Sequence, residues 1–84
     1  MNKKEILETL KWALYSETVS EWDAHLAGDA ETSKLYWAGA QGQIKLAHQL
    51  LGSRYYHKIN SLVETVKRKA AADAAAKRQQ KLGA

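Results

Sequence analysis

The side chains best able to do chemistry in this 84-residue chain are three histidines, His25, His48 and His57, and nine Asp/Glu; there is no cysteine. Without thiols there is neither a disulfide nor a thiolate metal site to be made, and the histidines lie too far apart in sequence to form a local ligand pattern. Glu21 and His25 are the only pair in which a carboxylate precedes an imidazole by four residues. No second pair exists to complete a coordination sphere, and neither HExxH nor the ExxH of di-iron bundles occurs, so the pair reads as an ordinary helix-surface contact. Gly39 and Gly42 lie inside a helical pattern with no strand before them, so they are not a phosphate-cradling loop, and no nucleophile elbow or nucleotide fingerprint is present. The reading is non-enzymatic, with no cofactor and no metal.

The chain is short enough for one domain with a small core, and short chains commonly add disulfides, metals or a partner subunit to that core. Cysteine and ligand patterns leave the partner as the expected aid. The charged start Met1-Asn2-Lys3-Lys4-Glu5 is unlike a signal peptide, and apolar runs as short as the alanine triplets, Leu50-Leu51, Trp12 to Tyr15 and Leu35 to Ala38 are far short of a membrane span. A cytoplasmic protein with no membrane contact is therefore expected. Net charge is +4, unevenly placed: residues 1 to 66 carry seven Lys/Arg against eight Asp/Glu, whereas residues 67 to 84 carry six against one. A nearly neutral body, 1–66, is thus distinguished from a basic tail, 67–84, that suits an anionic partner.

The elements that hold these groups all read as helix. Proline is absent, and apolar residues recur at spacings of three and four. The first helix, over residues 3 to 27, has two stripes offset around its axis, Ile6/Leu7/Leu10/Ala13/Leu14 and Trp12/Tyr15/Val19/Trp22/Leu26. It is read as continuous, although Thr18 with Glu21 three residues on has the form of a capping box. Gly28-Asp29 reads as a stop followed by a cap, and residues 30 to 51 form a second helix ending at Gly52-Ser53. A third starts near Arg54 and carries Tyr55/Tyr56, Ile59, Leu62/Val63 and Val66. The expected fold is all-α: an antiparallel helical hairpin plus a third C-terminal helix with a basic tail. Val66 is taken as the last packing residue, so loss of residues 67 to 84 is expected to leave the fold nearly intact. Gly39 and Gly42 are expected to sit under the Trp/Tyr stripe of the first helix, large side chains facing small.

Seven aromatics between residues 12 and 56 dominate the apolar content, and most of them are assigned to the core because each can bury about 150 to 250 Å². The first helix nevertheless presents more apolar width than one hairpin partner covers, and Trp and Tyr are enriched at interface centres. Trp12, Tyr15, Val19, Trp22, Tyr55 and Tyr56 are accordingly the candidate protein-interface residues, and self-association into a homo-oligomer is expected. In the tail, Lys67, Lys77, Arg78 and Lys81 share one helical side, while Arg68 and Lys69 point elsewhere. Those four are the candidate anionic-partner residues; with no aromatic in the tail, stacking on single-stranded bases is not expected there.

The start Met-Asn-Lys-Lys-Glu-Ile-Leu-Glu, the helix-Gly-Asp-helix hairpin and the Lys/Arg-rich alanine tail resemble small accessory proteins of bacteriophages and other mobile elements. That resemblance implies a protein that binds and redirects a host or viral macromolecule from the host cytoplasm, as a modulator or inhibitor. The expected function is thus docking on a larger protein or ribonucleoprotein partner. Nucleic-acid binding through the basic terminal helix and a role as a virion or assembly component are the two alternatives.

Overall fold

A computed structural model describes residues 2–83, which form three helices. Helix α1 spans Lys3–Leu26, α2 spans Ala30–Leu51, and a short 3₁₀ turn at Ser53–Tyr55 leads into α3, Tyr56–Gly83. No strand occurs among the described residues, and no helix there is long and apolar enough to cross a membrane. The helix of residues 3 to 26 is unbroken at Ser16–Ser20, and α2 is unbroken at Gly39 and Gly42.

Local chemistry sets each boundary. Asn2 caps α1 by accepting the Glu5 N–H on Oδ1 at 2.9 Å. At the other end Gly28 takes φ +81°, its N–H donating to the His25 carbonyl at 3.0 Å while the Asp29 N–H donates to the Ala24 carbonyl at 2.9 Å. This crossed pair satisfies two carbonyls that the helix end would otherwise leave free, in a left-handed backbone conformation that glycine adopts without penalty. Asp29 at once caps α2, accepting the Thr32 N–H at 3.1 Å and the Thr32 hydroxyl at 2.6 Å. Those two bonds hold its carboxyl below the usual range. Gly52, also at φ +81°, closes α2, its N–H donating to the His48 carbonyl.

Helix α1 is the shared spine. It packs along both α2 and α3, whereas α2 and α3 touch each other only sparingly. Lys3 reaches Tyr55 near one end and Tyr15 reaches Asp73 farther along, so α1 and α3 run parallel and α2 runs against both. Leu10, Ala47, Leu51 and Ile59 form one buried cluster; Leu14, Ala40 and Val66 form the next. The Ile6/Leu7/Leu10/Ala13/Leu14 stripe of α1 is therefore used internally, between α2 and α3, whereas of the other stripe Tyr15 is held against α3 and Trp12, Trp22 and Leu26 stay exposed.

Two expectations are corrected by this packing. First, packing does not stop at Val66: α3 continues without interruption, and Ala70 and Ala74 are buried against the bundle at 0% and 1% exposure. Alanines let helices approach closely, so a stretch without large apolar side chains still forms an interface. Second, none of the seven aromatics is fully buried; Tyr15 and Tyr55 are half-buried against the core's edge, and the nine buried apolar residues among those described are Leu, Ile, Val and four alanines. Interhelical space set by alanines is too narrow for rings, which are displaced to the rims.

Thr18 is the one buried polar residue among the described residues, and its hydroxyl has no hydrogen-bond partner there. Burying a hydroxyl without a partner costs about 1 to 3 kcal/mol. Thr18→Val, which replaces that hydroxyl by a methyl group of similar size, should therefore stabilise the protein by about 1 kcal/mol. Urea denaturation reads this directly, and a loss of stability would show that the hydroxyl is satisfied in solution.

Candidate docking surfaces

The sequence-predicted interface residues divide among three places. Trp12 lies on α1 beside Tyr15, ring edge to ring face at 6.5 Å and 83°. Trp12 is 61% exposed, its Nε1–H donating to Glu8 Oε1 at 3.2 Å and the Lys11 ammonium lying 5.5 Å from its ring. Tyr15 is half-buried and is held by α3: its hydroxyl donates to Asp73 Oδ2 at 2.5 Å, and Lys69 lies over the ring at 6.0 Å while pairing with Asp73 at 3.2 Å. Farther down the same α1/α3 seam, Tyr55 sits between the ammonium groups of Lys3 and Lys58, at 5.0 and 5.9 Å. A shallow depression lined by Lys4, Leu7, Glu8, Tyr55, Lys58 and Leu62 fills this part of the seam, and Glu8 links it to Trp12. The fold thus brings Trp12, Tyr15 and Tyr55 onto one side.

The other three stand apart. Tyr56 is exposed on the α2/α3 side, against His48 and His57, each 5.4 Å away. Trp22 packs edge-on against His25 at 5.2 Å near the α1–α2 turn, and Val19 is half-buried between these regions. His25, the imidazole of the Glu21–His25 pair, is thus engaged with a ring. Among the described residues no three His, Cys, Asp or Glu side chains gather as a metal site would require.

Tyr15 and Asp73 tie the two parallel helices together, and each shifts the other's titration. The Tyr15 hydroxyl bond, with help from Lys69, holds the Asp73 carboxyl below its ordinary range. The same bond, followed by desolvation and the nearby negative charge, raises the Tyr15 phenol. The lowered carboxyl contributes stability above pH about 4 and loses it as pH falls through its depressed value; the raised phenol contributes below pH about 10 and loses it at higher pH. The stability difference between the protein and Tyr15→Phe should therefore be flat from about pH 5 to 9 and shrink at both ends. Guanidinium unfolding across that range tests it, and a difference independent of pH would mean the bond does not form in solution.

Of the four predicted tail residues, Lys67 and Arg78 are half-buried, and Lys77 and Lys81 are exposed. All four lie close to the line that upstream buries Ile59, Val66, Ala70 and Ala74. Arg68 and Lys69, by contrast, are paired within α3, to Glu64 at 2.7 Å and Asp73 at 3.2 Å. No carboxylate of the described residues lies within ion-pair distance of Lys67, Lys77, Arg78 or Lys81.

The surface that sequence reasoning passed over is on the opposite side of α1. Ile6, Thr9, Leu10 and Ala13 of α1 and Gln43, Leu46, Ala47 and Leu50 of α2 line an apolar groove of 280 Å³. A visible signal existed: Leu35, Gly39, Gly42, Leu46 and Leu50 follow a second helical line on α2, distinct from Ala40, Ile44, Ala47 and Leu51. The expected partner of the glycines is also corrected. At Gly39 a Cβ would stand 2.8 Å from the Glu17 carboxylate, and Gly42 has nothing within 4 Å. Helix α1 turns its Tyr15 side toward α3, so no aromatic stripe covers these glycines.

Comparison of the chain with family models, with curated proteins and with solved structures finds no match. The functional reading therefore rests on the surfaces themselves.

Proposed function

We propose that this chain is a non-enzymatic helical interaction protein that docks on a larger macromolecular partner through its α1/α3 seam. The observation that carries the reading is Trp12: a large ring 61% exposed, yet held in place by Tyr15, Glu8 and Lys11. Fixing an aromatic at the surface removes much of the ordering cost of binding, and such rings are the usual anchors of protein interfaces. Lys4, Lys11, Lys58 and Lys69 surround the seam, which favours a protein surface with an apolar centre and an acidic rim. A modulator of a host complex, of the kind that phages and mobile elements encode, uses this type of contact.

A second reading, binding of nucleic acid by α3, has its own support in Lys67, Lys77, Arg78 and Lys81, which have no carboxylate partner among the described residues. One experiment separates the two. The tagged protein, Trp12→Ala, and a variant with Lys77, Arg78 and Lys81 changed to Glu are each used for affinity capture with and without nuclease. Loss of a captured protein with Trp12→Ala alone supports docking through the seam. Loss with the charge-reversed variant and on nuclease treatment supports the nucleic-acid reading, and capture of structural virion proteins would replace both with an assembly role.

A further inference from the structure

We infer that the exposed stripe of α2 is a self-complementary surface on which a second copy of this chain binds, antiparallel, about a two-fold axis passing between Gly42 and Gln43. The inference deepens the interaction-protein reading on its self-associating side and uses a face remote from Trp12.

Leu35, Leu46 and Leu50 are 74%, 54% and 59% exposed, and with Gly39 and Gly42 they lie on one side of α2. Their order is symmetric. Leu35 and Leu50 are equally distant in sequence from the point between Gly42 and Gln43, and so are Gly39 and Leu46. In an antiparallel pair about that point, each Leu35 meets the partner's Leu50 and each Leu46 lies opposite the partner's Gly39, beside the Glu17 carboxylate that borders that glycine. Gly42, with open space around it, lets the two backbones close on the axis. A two-fold interface requires this property, that residue i meets residue j and j meets i.

Charge follows the same register. Glu31 and Arg54 are also centred on that point, and both are exposed without an ion-pair partner among the described residues. Arg54 lies in the short turn just past the end of α2, so antiparallel pairing brings the end that carries Glu31 to the partner's end that carries Arg54, whereas parallel pairing would bring like charges together. Glu17 borders the stripe from α1 and already accepts the Gln43 Nε2–H at 3.5 Å.

The stripe and the adjoining groove of Ile6, Ala13, Leu46 and Leu50 supply a continuous apolar surface for the second copy.

The test uses the full chain. Light scattering across protein concentrations should report a dimer, and Leu46→Glu, at an exposed position, should weaken dimerisation by about a hundredfold while leaving helicity unchanged. The chain has no cysteine, so Gly42→Cys should form a covalent dimer under mild oxidation, whereas Ser61→Cys on the exposed side of α3 should not. Glu31→Arg and Arg54→Glu should each weaken the dimer several-fold, and the double exchange should restore it. A protein monomeric at every concentration overturns the inference and the self-association reading together. A dimer that survives Leu46→Glu and fails to cross-link in the Gly42→Cys variant overturns the α2 surface alone. Cross-linking without rescue by the charge exchange overturns the antiparallel register. Partner capture that depends on Trp12 is unaffected by any of these results.

Discussion

Removal of residues 67 to 84 should abolish cooperative unfolding, or lower stability by about 3 kcal/mol or more, although the deleted segment contains no large apolar side chain except Leu82. The deletion takes away Ala70 and Ala74, both buried, and the Asp73 carboxylate that receives the Tyr15 hydroxyl. It also uncovers the α1 side around Tyr15, whose ring lies under Lys69. Each buried aliphatic or aromatic group returned to water costs about 25 cal/mol per Å², and the orphaned phenol adds the loss of a charge-assisted bond. An 84-residue protein has about 4 to 13 kcal/mol of total stability to lose from. Thermal and urea unfolding of the truncated chain against the full one measures the effect; a truncated protein that unfolds at the same urea concentration would show that α3 beyond Val66 only rests against the bundle.

Leu14→Ala should destabilise the protein by about 3 to 5 kcal/mol. Leu14 is fully buried on α1, which contacts both other helices, and its cluster contains Ala40 of α2 and Val66 of α3. Two of its surroundings explain why the cost falls near the top of the usual range. Ala40 has no rotamer with which to fill a void, and Val66 is stiff at its branched β-carbon, so the cavity left by the missing isopropyl group cannot readily collapse. The same change at exposed Leu35 should alter monomer stability by no more than about 0.5 kcal/mol. Parallel denaturation of the two variants gives the comparison, and similar costs at both positions would contradict the placement of the core.

The turns were legible because their chemistry is local. Gly28, Asp29 and Gly52 announce a left-handed residue or a cap within a few positions, and no distant contact alters that requirement. The two stripes of α1 were legible too, but not their owners. A pattern of three and four tells which residues share a side and is silent on whether α2, α3 or another molecule covers it. Alanine is the least legible residue here: Ala40, Ala47, Ala70 and Ala74 decide how close the helices come, yet in a sequence each resembles neutral helix filler. That ambiguity also misplaced the aromatics, since ring size argues for burial only when the interior is wide enough. Of the candidate interface, Trp12, Tyr15 and Tyr55 converge because α3 runs beside α1, a pairing between residues as far apart as Tyr15 and Asp73 that no local pattern encodes.

The spine arrangement has a consequence for the order in which the chain matures on the ribosome. Helices α1 and α2 are joined by a tight turn and can pair as soon as both have emerged, whereas the partner of Tyr15 lies 58 residues downstream. At ordinary synthesis rates, the residues from Gly52 to Gly83 take about 2 to 6 s to add. Until α3 has itself left the ribosome, the α3-facing side of α1, with Leu7, Leu14 and Tyr15, stands uncovered. That side is open to a chaperone or a second copy until α3 docks, so conditions that delay release of α3 from the ribosome should increase aggregation of the nascent chain without changing the stability of the finished protein.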